Sequence, residues 1–170
     1  MSLAASIIAS TLNAGTPLLL AAVGIVIHEK SGVLNLGIEG IMLMGAVTGF
    51  GVTYSTGSIP LGFLAGLGVG LLCGLLFGFF VIGIRANQYA AGLAMTLFGA
   101  GLSAFIGQPM QGASLPVRAQ LGIPGLKDLP FVGEAFFSQH WLVYVALLLL
   151  VGVWYFLFKT RGGLVLRAVG

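Results

Sequence analysis

The sequence predicts an all-α, polytopic membrane protein with about five transmembrane helices and one long Pro-rich extracytoplasmic loop. Three observations carry that prediction. Hydrophobic residues make up 58% of the 170 and charged residues only 6%, with a mean hydropathy of +1.11. Soluble domains carry about 25% charge, so there are too few polar side chains here to cover a soluble core. Five apolar stretches approach the roughly 20 residues needed to span a bilayer as a helix. The 28 glycines suit helices packed closely in lipid better than a loop-rich soluble fold.

The first span is expected at about residues 3–27, interrupted by Asn13, Thr16 and Pro17. No basic n-region precedes it and the apolar run outlasts a signal peptide, so it reads as a retained span. The second is expected at about 33–52, the third at 59–84, the fourth at 90–106 and the fifth at 141–158. Between the last two, a loop at 107–140 holds Pro109, Pro116, Pro124 and Pro130 with Arg118, Lys127, Asp128 and Glu134, a composition that breaks helices and suits water. Residues 159–170 follow as the start of a cytoplasmic region.

Basic residues set the orientation. With five spans, Lys30, Arg85, Lys159, Arg161 and Arg167 fall on one side, and the positive-inside rule makes that side the cytoplasm. The N-terminus and the Pro-rich loop then lie outside. A formal net charge of +3 from scattered Lys and Arg speaks for topology and not for nucleic acid. The single Cys73 lies inside an apolar run and reads as a buried small residue, with no disulfide framework.

Glycine spacing marks the third span. Gly62, Gly66, Gly70, Gly74 and Gly78 recur every four residues and form a smooth ridge along one helix face, the small-xxx-small pattern of close helix packing. A substrate groove along the ridge is the other reading. Gly37, Gly45 and Gly49 make a weaker set on span two, so spans two and three are expected to pack together.

The chemistry concentrates at Ser31–Gly40, S-G-V-L-N-L-G-I-E-G. His28 reads as a solvated interface residue, and Ser31 is expected to cap a helix beginning near Gly32. Asn35 and Glu39 are four residues apart and would share one helical face, forming a polar seam. An ionisable group at membrane depth usually faces a cavity, a partner or a transport path. Glu39 therefore either lines a pathway or hydrogen-bonds a helix terminus or a partner such as Asn13. There is no G-x-x-x-x-G-K-[ST] phosphate loop, no nucleophile–base pair and no metal-ligand cluster in the sequence. Neither a catalytic residue nor a cofactor is expected.

Taken together, Ser31–Ala46, T-P-L-L-L-A-A at Thr16–Ala22, R-A-N-Q at Arg85–Gln88, L-V-Y at Leu142–Tyr144 and T-R-G-G-L-V-L-R-A-V-G at Thr160–Gly170 resemble the permeases of bacterial ATP-binding-cassette importers. The resemblance is to the branched-chain amino acid and simple-sugar superfamily, and closest to its nucleoside and simple-sugar branch. It implies a permease subunit of the bacterial plasma membrane that works by alternating access. The implied partners are a cytoplasmic ATP-binding subunit that hydrolyses the ATP, a second permease subunit, an extracytoplasmic substrate-binding protein or lipoprotein, and the lipid bilayer. Asn35, Gly37, Glu39, Gly40, Asn87 and Gln88 would line the substrate pathway, and Arg161, Gly162 and Arg167 would couple to the ATPase.

In that family the final motif runs on into a coupling helix and further spans, so the chain reads as the N-terminal part of a longer permease. The substrate is expected to be a nucleoside or a simple sugar. An ion-coupled secondary transporter, which also uses an intramembrane carboxylate and Gly-interrupted helices, remains an alternative. A non-transporting membrane assembly subunit is the other.

Overall fold

The structure, a computed structural model, describes residues 3–115 and 140–170. Most of the expected Pro-rich loop, including Arg118, Lys127, Asp128 and Glu134, lies outside the described residues. Those described are helical nearly throughout. α1 runs Leu3–Lys30, α2 Ile38–Thr56, α3 Ile59–Gly78, α4 Gln88–Gly107, α5 Trp141–Lys159 and α6 Arg161–Val169. The chain divides into two compact units. One holds α1, α5 and α6, and the other, Gly32–Pro116, holds α2, α3 and α4.

Among the described residues, four helical stretches are long and apolar enough to cross a membrane: Ile7–Lys30, Ile59–Gly83, Gln88–Met110 and Trp141–Lys159. The expected second span is not among them. At 19 residues α2 has the length, but Glu39 at its start and Thr53, Tyr54, Ser55 and Thr56 at its end dilute its apolar character. It also begins at Ile38 instead of near Val33. Ser31 does not cap it. The Ser31 hydroxyl donates to the His28 carbonyl at 2.7 Å, which closes the end of α1, and Gly32 at φ 78° then turns the chain, a conformation glycine adopts without a Cβ penalty.

In the α2–α4 unit, α3 runs antiparallel to α2. A Cβ on Gly49 would lie 3.2 Å from the Gly62 carbonyl oxygen, and one on Gly66 would lie 3.0 Å from the Gly45 oxygen. Backbone therefore meets backbone over Gly45, Gly49, Gly62 and Gly66, the approach that small residues permit in lipid. On Gly70, Gly74 and Gly78 a Cβ would meet no described atom within 4 Å, so the lower half of the ridge carries no packing with α2. Met44, Cys73, Phe77, Val81 and Met95 form the buried core between the three helices, with Cys73 as a free buried thiol.

α3 widens in its last turn into a π-helical segment, Phe79–Gly83, with Ile84 N–H donating to the Phe79 carbonyl at 3.0 Å and Ala86 N–H to that of Phe80 at 2.9 Å. Arg85 follows at φ 57°, in the left-handed position where helices commonly place glycine. Asn87 then caps α4. Its Oδ1 accepts from Tyr89 N–H at 2.9 Å and Ala90 N–H at 3.3 Å.

In the other unit, α1 and α5 are in contact along residues that include Leu19, Ala22, Val26, Trp154 and Leu157. Thr160 ends α5 and starts α6. Its hydroxyl donates to the Phe156 carbonyl at 2.6 Å and accepts from Gly163 N–H at 3.1 Å.

Candidate functional site at the start of α2

Residues 32–37 are not helical. Periodicity alone would carry the helix through them, but Asn35 competes with it. Its Oδ1 accepts from Gly37 N–H at 2.9 Å, an Asx turn that offers the backbone a non-helical partner. Asn35 is buried, so it braces this segment from inside.

The segment lies along α4. Leu34 N–H donates to Gln88 Oε1 at 2.7 Å, and the Thr96 hydroxyl donates to the Leu36 carbonyl at 2.8 Å. Gln88 opens α4 and Thr96 is eight residues on, about 12 Å along the axis. The chain between Leu34 and Leu36 thus passes from the end of an apolar helix toward its middle, and α2 begins there. α2 and α4 continue in parallel, with Gly107 brought to Val47.

Glycines make this approach possible. A Cβ on Gly40 would collide with the Met95 carbonyl oxygen and lie 2.7 Å from Thr96 Cα; a Cβ on Gly37 would lie 2.8 Å from Met95 Cβ. From the α4 side, a Cβ on Gly92 would lie 2.9 Å from the Leu36 nitrogen, and one on Gly99 would lie 2.5 Å from Gly40 Cα. Gly92 and Gly99 escaped the sequence reading, although their separation of seven residues places both on one helical face.

The predicted residues divide accordingly. Asn35, Gly37 and Gly40 are buried, and Glu39, in the first turn of α2, is exposed. Asn35 and Glu39 do not share a helical face, because Asn35 precedes the helix. Their expected common seam is corrected by that Asx turn. Gln88 holds Leu34, and Asn87 spends its carbonyl oxygen on the α4 cap. Glu39 sits in the first turn of α2, at the positive end of the helix dipole.

At the other candidate region, Arg161 is exposed at the start of α6. Gly162 packs on Phe156, where a Cβ would lie 3.2 Å from the ring. Arg167 is committed locally: its guanidinium lies 5.0 Å from the centre of the Phe158 ring, and its Nε donates to the Gly163 carbonyl at 3.4 Å.

Known proteins resemble this chain over its full extent. It is 42% identical to a putative glucose ABC transporter permease protein of Haloferax volcanii, covering 100% of this chain and 53% of that one. It is 34% identical to the guanosine ABC transporter permease protein of Bacillus subtilis, over 96% of this chain and 55% of the relative. A nucleoside ABC transporter permease protein of Lactococcus lactis matches at 34%, with the same shares. The chain spans about half the length of these curated relatives. No solved structure matches it. Residues 7–170 match the family described as branched-chain amino acid transport system / permease component. With its long apolar helices the chain is a multi-pass integral protein of the plasma membrane, and it belongs to that permease family.

Proposed function

We propose that this chain is part of the permease subunit of an ATP-binding-cassette importer that moves a nucleoside or a simple sugar by alternating access. The observation that carries the reading is the start of α2 beside the middle of α4, with the Glu39 carboxylate exposed in its first turn. Discontinuous helices whose ends lie within the membrane are how transporters present polar groups to substrate at depth. A carboxylate kept there at a cost suits hydrogen-bonding to substrate hydroxyls or amines. The relatives named for guanosine, nucleoside and glucose transport support a polyhydroxylated substrate.

ATP hydrolysis then belongs to a separate cytoplasmic subunit. Arg161, exposed at the start of the amphipathic α6, is the group best disposed to meet it, with Arg167 and Gly162 holding α6 against α5. A second permease subunit and an extracytoplasmic binding protein complete the assembly. In this arrangement Asn35, Gly37, Gly40 and Gln88 shape the pathway by fixing the 32–37 segment, Asn87 does so by starting α4, and Glu39 contacts the cargo.

Uptake of labelled nucleoside and sugar, in the permease assembled with its partners, tests this. Glu39→Ala should lower uptake at least tenfold while membrane abundance stays near wild type, because the side chain is exposed and supports no described packing. Full uptake by Glu39→Ala would remove Glu39 from the pathway, and abundance falling in step with uptake would make its role structural. The orientation is tested alongside. A cysteine at Ser114 should react with an impermeant thiol reagent on intact cells, and one at Leu164 only after the membrane is opened. Leu164 is the better probe of α6 because Gly163 is buried.

A further inference from the structure

A groove of about 420 Å³ runs between the end of α3 and the first half of α4, and it shares Asn87 and Met95 with the candidate site at the start of α2. Phe77, Phe80 and Phe98 wall it, Ala90 and Ala94 line it with little more than methyl groups, and Asn87 is its one polar lining residue. Ala86, also in the lining, adjoins Arg85. The groove is thus apolar along its length, and Arg85 directly precedes its Ala86–Asn87 end in the chain.

Arg85 is the one described non-glycine residue at positive φ. The left-handed conformation is costly for an ordinary residue, and glycine would remove that cost. What an arginine keeps here is the charge. Its side chain is exposed and makes no ion pair or hydrogen bond with a described residue. Asn87 spends its carbonyl oxygen on the α4 cap, which leaves its amide nitrogen as a donor at the same end of the groove.

We propose that this groove seats an acyl chain of an anionic phospholipid, with the phosphate held by Arg85 and the Asn87 amide. The occupant follows from charge and shape. The walls are apolar, the end holds the Asn87 amide, and Arg85 lies one residue before Ala86 at that end. The positive-inside rule puts Arg85 on the cytoplasmic side, where anionic lipids attract basic residues at membrane helices. The inference does not depend on what the permease carries.

Native mass spectrometry of the chain in detergent tests it, with phosphatidylglycerol and phosphatidylcholine of identical acyl composition as probes. Wild type should retain one phosphatidylglycerol about fivefold more tightly than phosphatidylcholine, the factor expected from one basic residue near a lipid headgroup. Arg85→Gln should abolish the preference and Arg85→Lys should restore it. Ala94→Phe, at an exposed position, should weaken retention of both lipids by filling the groove. Equal retention of the two lipids by wild type would overturn the proposal, as would an unchanged preference in Arg85→Gln. Inorganic phosphate displacing the lipid's effect would show an anion site without an acyl seat. Loss of the retained lipid in a protein of the relatives' full length would show a helix in the groove, and either result would overturn the proposal equally.

Discussion

The contact of α2 with α4 at Gly40 and Gly99 is the most sharply testable feature of the fold. In Gly99→Ala the new Cβ would lie 2.5 Å from Gly40 Cα and 2.6 Å from Gly40 C, whereas carbon atoms pack best at about 3.5–4.0 Å. The opposing atoms are backbone, so no rotamer change relieves the clash and the helices must part by about 1 Å. Parting stretches the Thr96–Leu36 hydrogen bond, now 2.8 Å, past the usual limit near 3.0 Å. Overpacking costs about 1–3 kcal/mol and a lost interhelical hydrogen bond in a membrane about 0.6–2 kcal/mol. Alanine returns about 1 kcal/mol of helix propensity, which leaves a net loss of about 0.6–4 kcal/mol. Gly70→Ala is the control, since it receives the same propensity gain and its Cβ meets no described atom within 4 Å. Apparent melting temperatures of the purified protein in one detergent compare the two. Gly99→Ala should melt clearly below wild type and Gly70→Ala at or slightly above it. A Gly99→Ala protein as stable as Gly70→Ala would refute the close approach of α2 and α4 and, with it, the placement of the α2 start.

Three further outcomes follow from the same geometry. Thr96→Val removes the hydroxyl that holds the Leu36 carbonyl at nearly constant volume, and should cost about 0.6–2 kcal/mol in the same melting assay. Arg167→Ala should loosen α6 by about 0.5–1 kcal/mol through loss of its stacking on Phe158, read as faster proteolysis after α5, while Arg161→Ala leaves proteolysis unchanged and, under the proposed function, weakens co-purification of the proposed ATPase subunit. His140 accepts the Leu142 N–H through Nδ1 at 3.4 Å, and burial lowers its imidazole below the usual histidine range. The unfolded chain therefore takes up the proton first, so stability is full above about pH 6.5 and declines as pH falls from there toward the lowered folded value. His140→Asn, which can cap without titrating in that range, should flatten that slope.

What the sequence displayed and what it concealed differ for physical reasons. α3, α4 and α5 were legible as helices because lipid demands long uninterrupted apolar runs, and the structure has helices at Ile59–Gly78, continued by the π segment Phe79–Gly83, at Gln88–Gly107 and at Trp141–Lys159. The beginning of α2 was not. Val33, Leu36 and Ile38 continue an apolar pattern that a helix could use, and periodicity cannot register that Asn35 turns its side chain onto Gly37 N–H. The local signals were Gly32 and the Asn-x-Gly step, which mark a turn as readily as a helix face. The glycines mislead in a related way. A repeat of four along α3 states that something can approach closely without saying what does, and only Gly62 and Gly66 of that ridge meet α2. The approach that fixes the candidate site is made by Gly37 on Met95, Gly92 on Leu36 and Gly40 on Gly99, contacts between the 32–40 stretch and α4 that no single-helix pattern links. Placing Glu39 beside the middle of α4 therefore depends on tertiary contact between sequence-distant glycines, reinforced by one threonine and one glutamine. For that reason substitutions on α4, which never touch Glu39, should disturb the site as much as substitutions beside it.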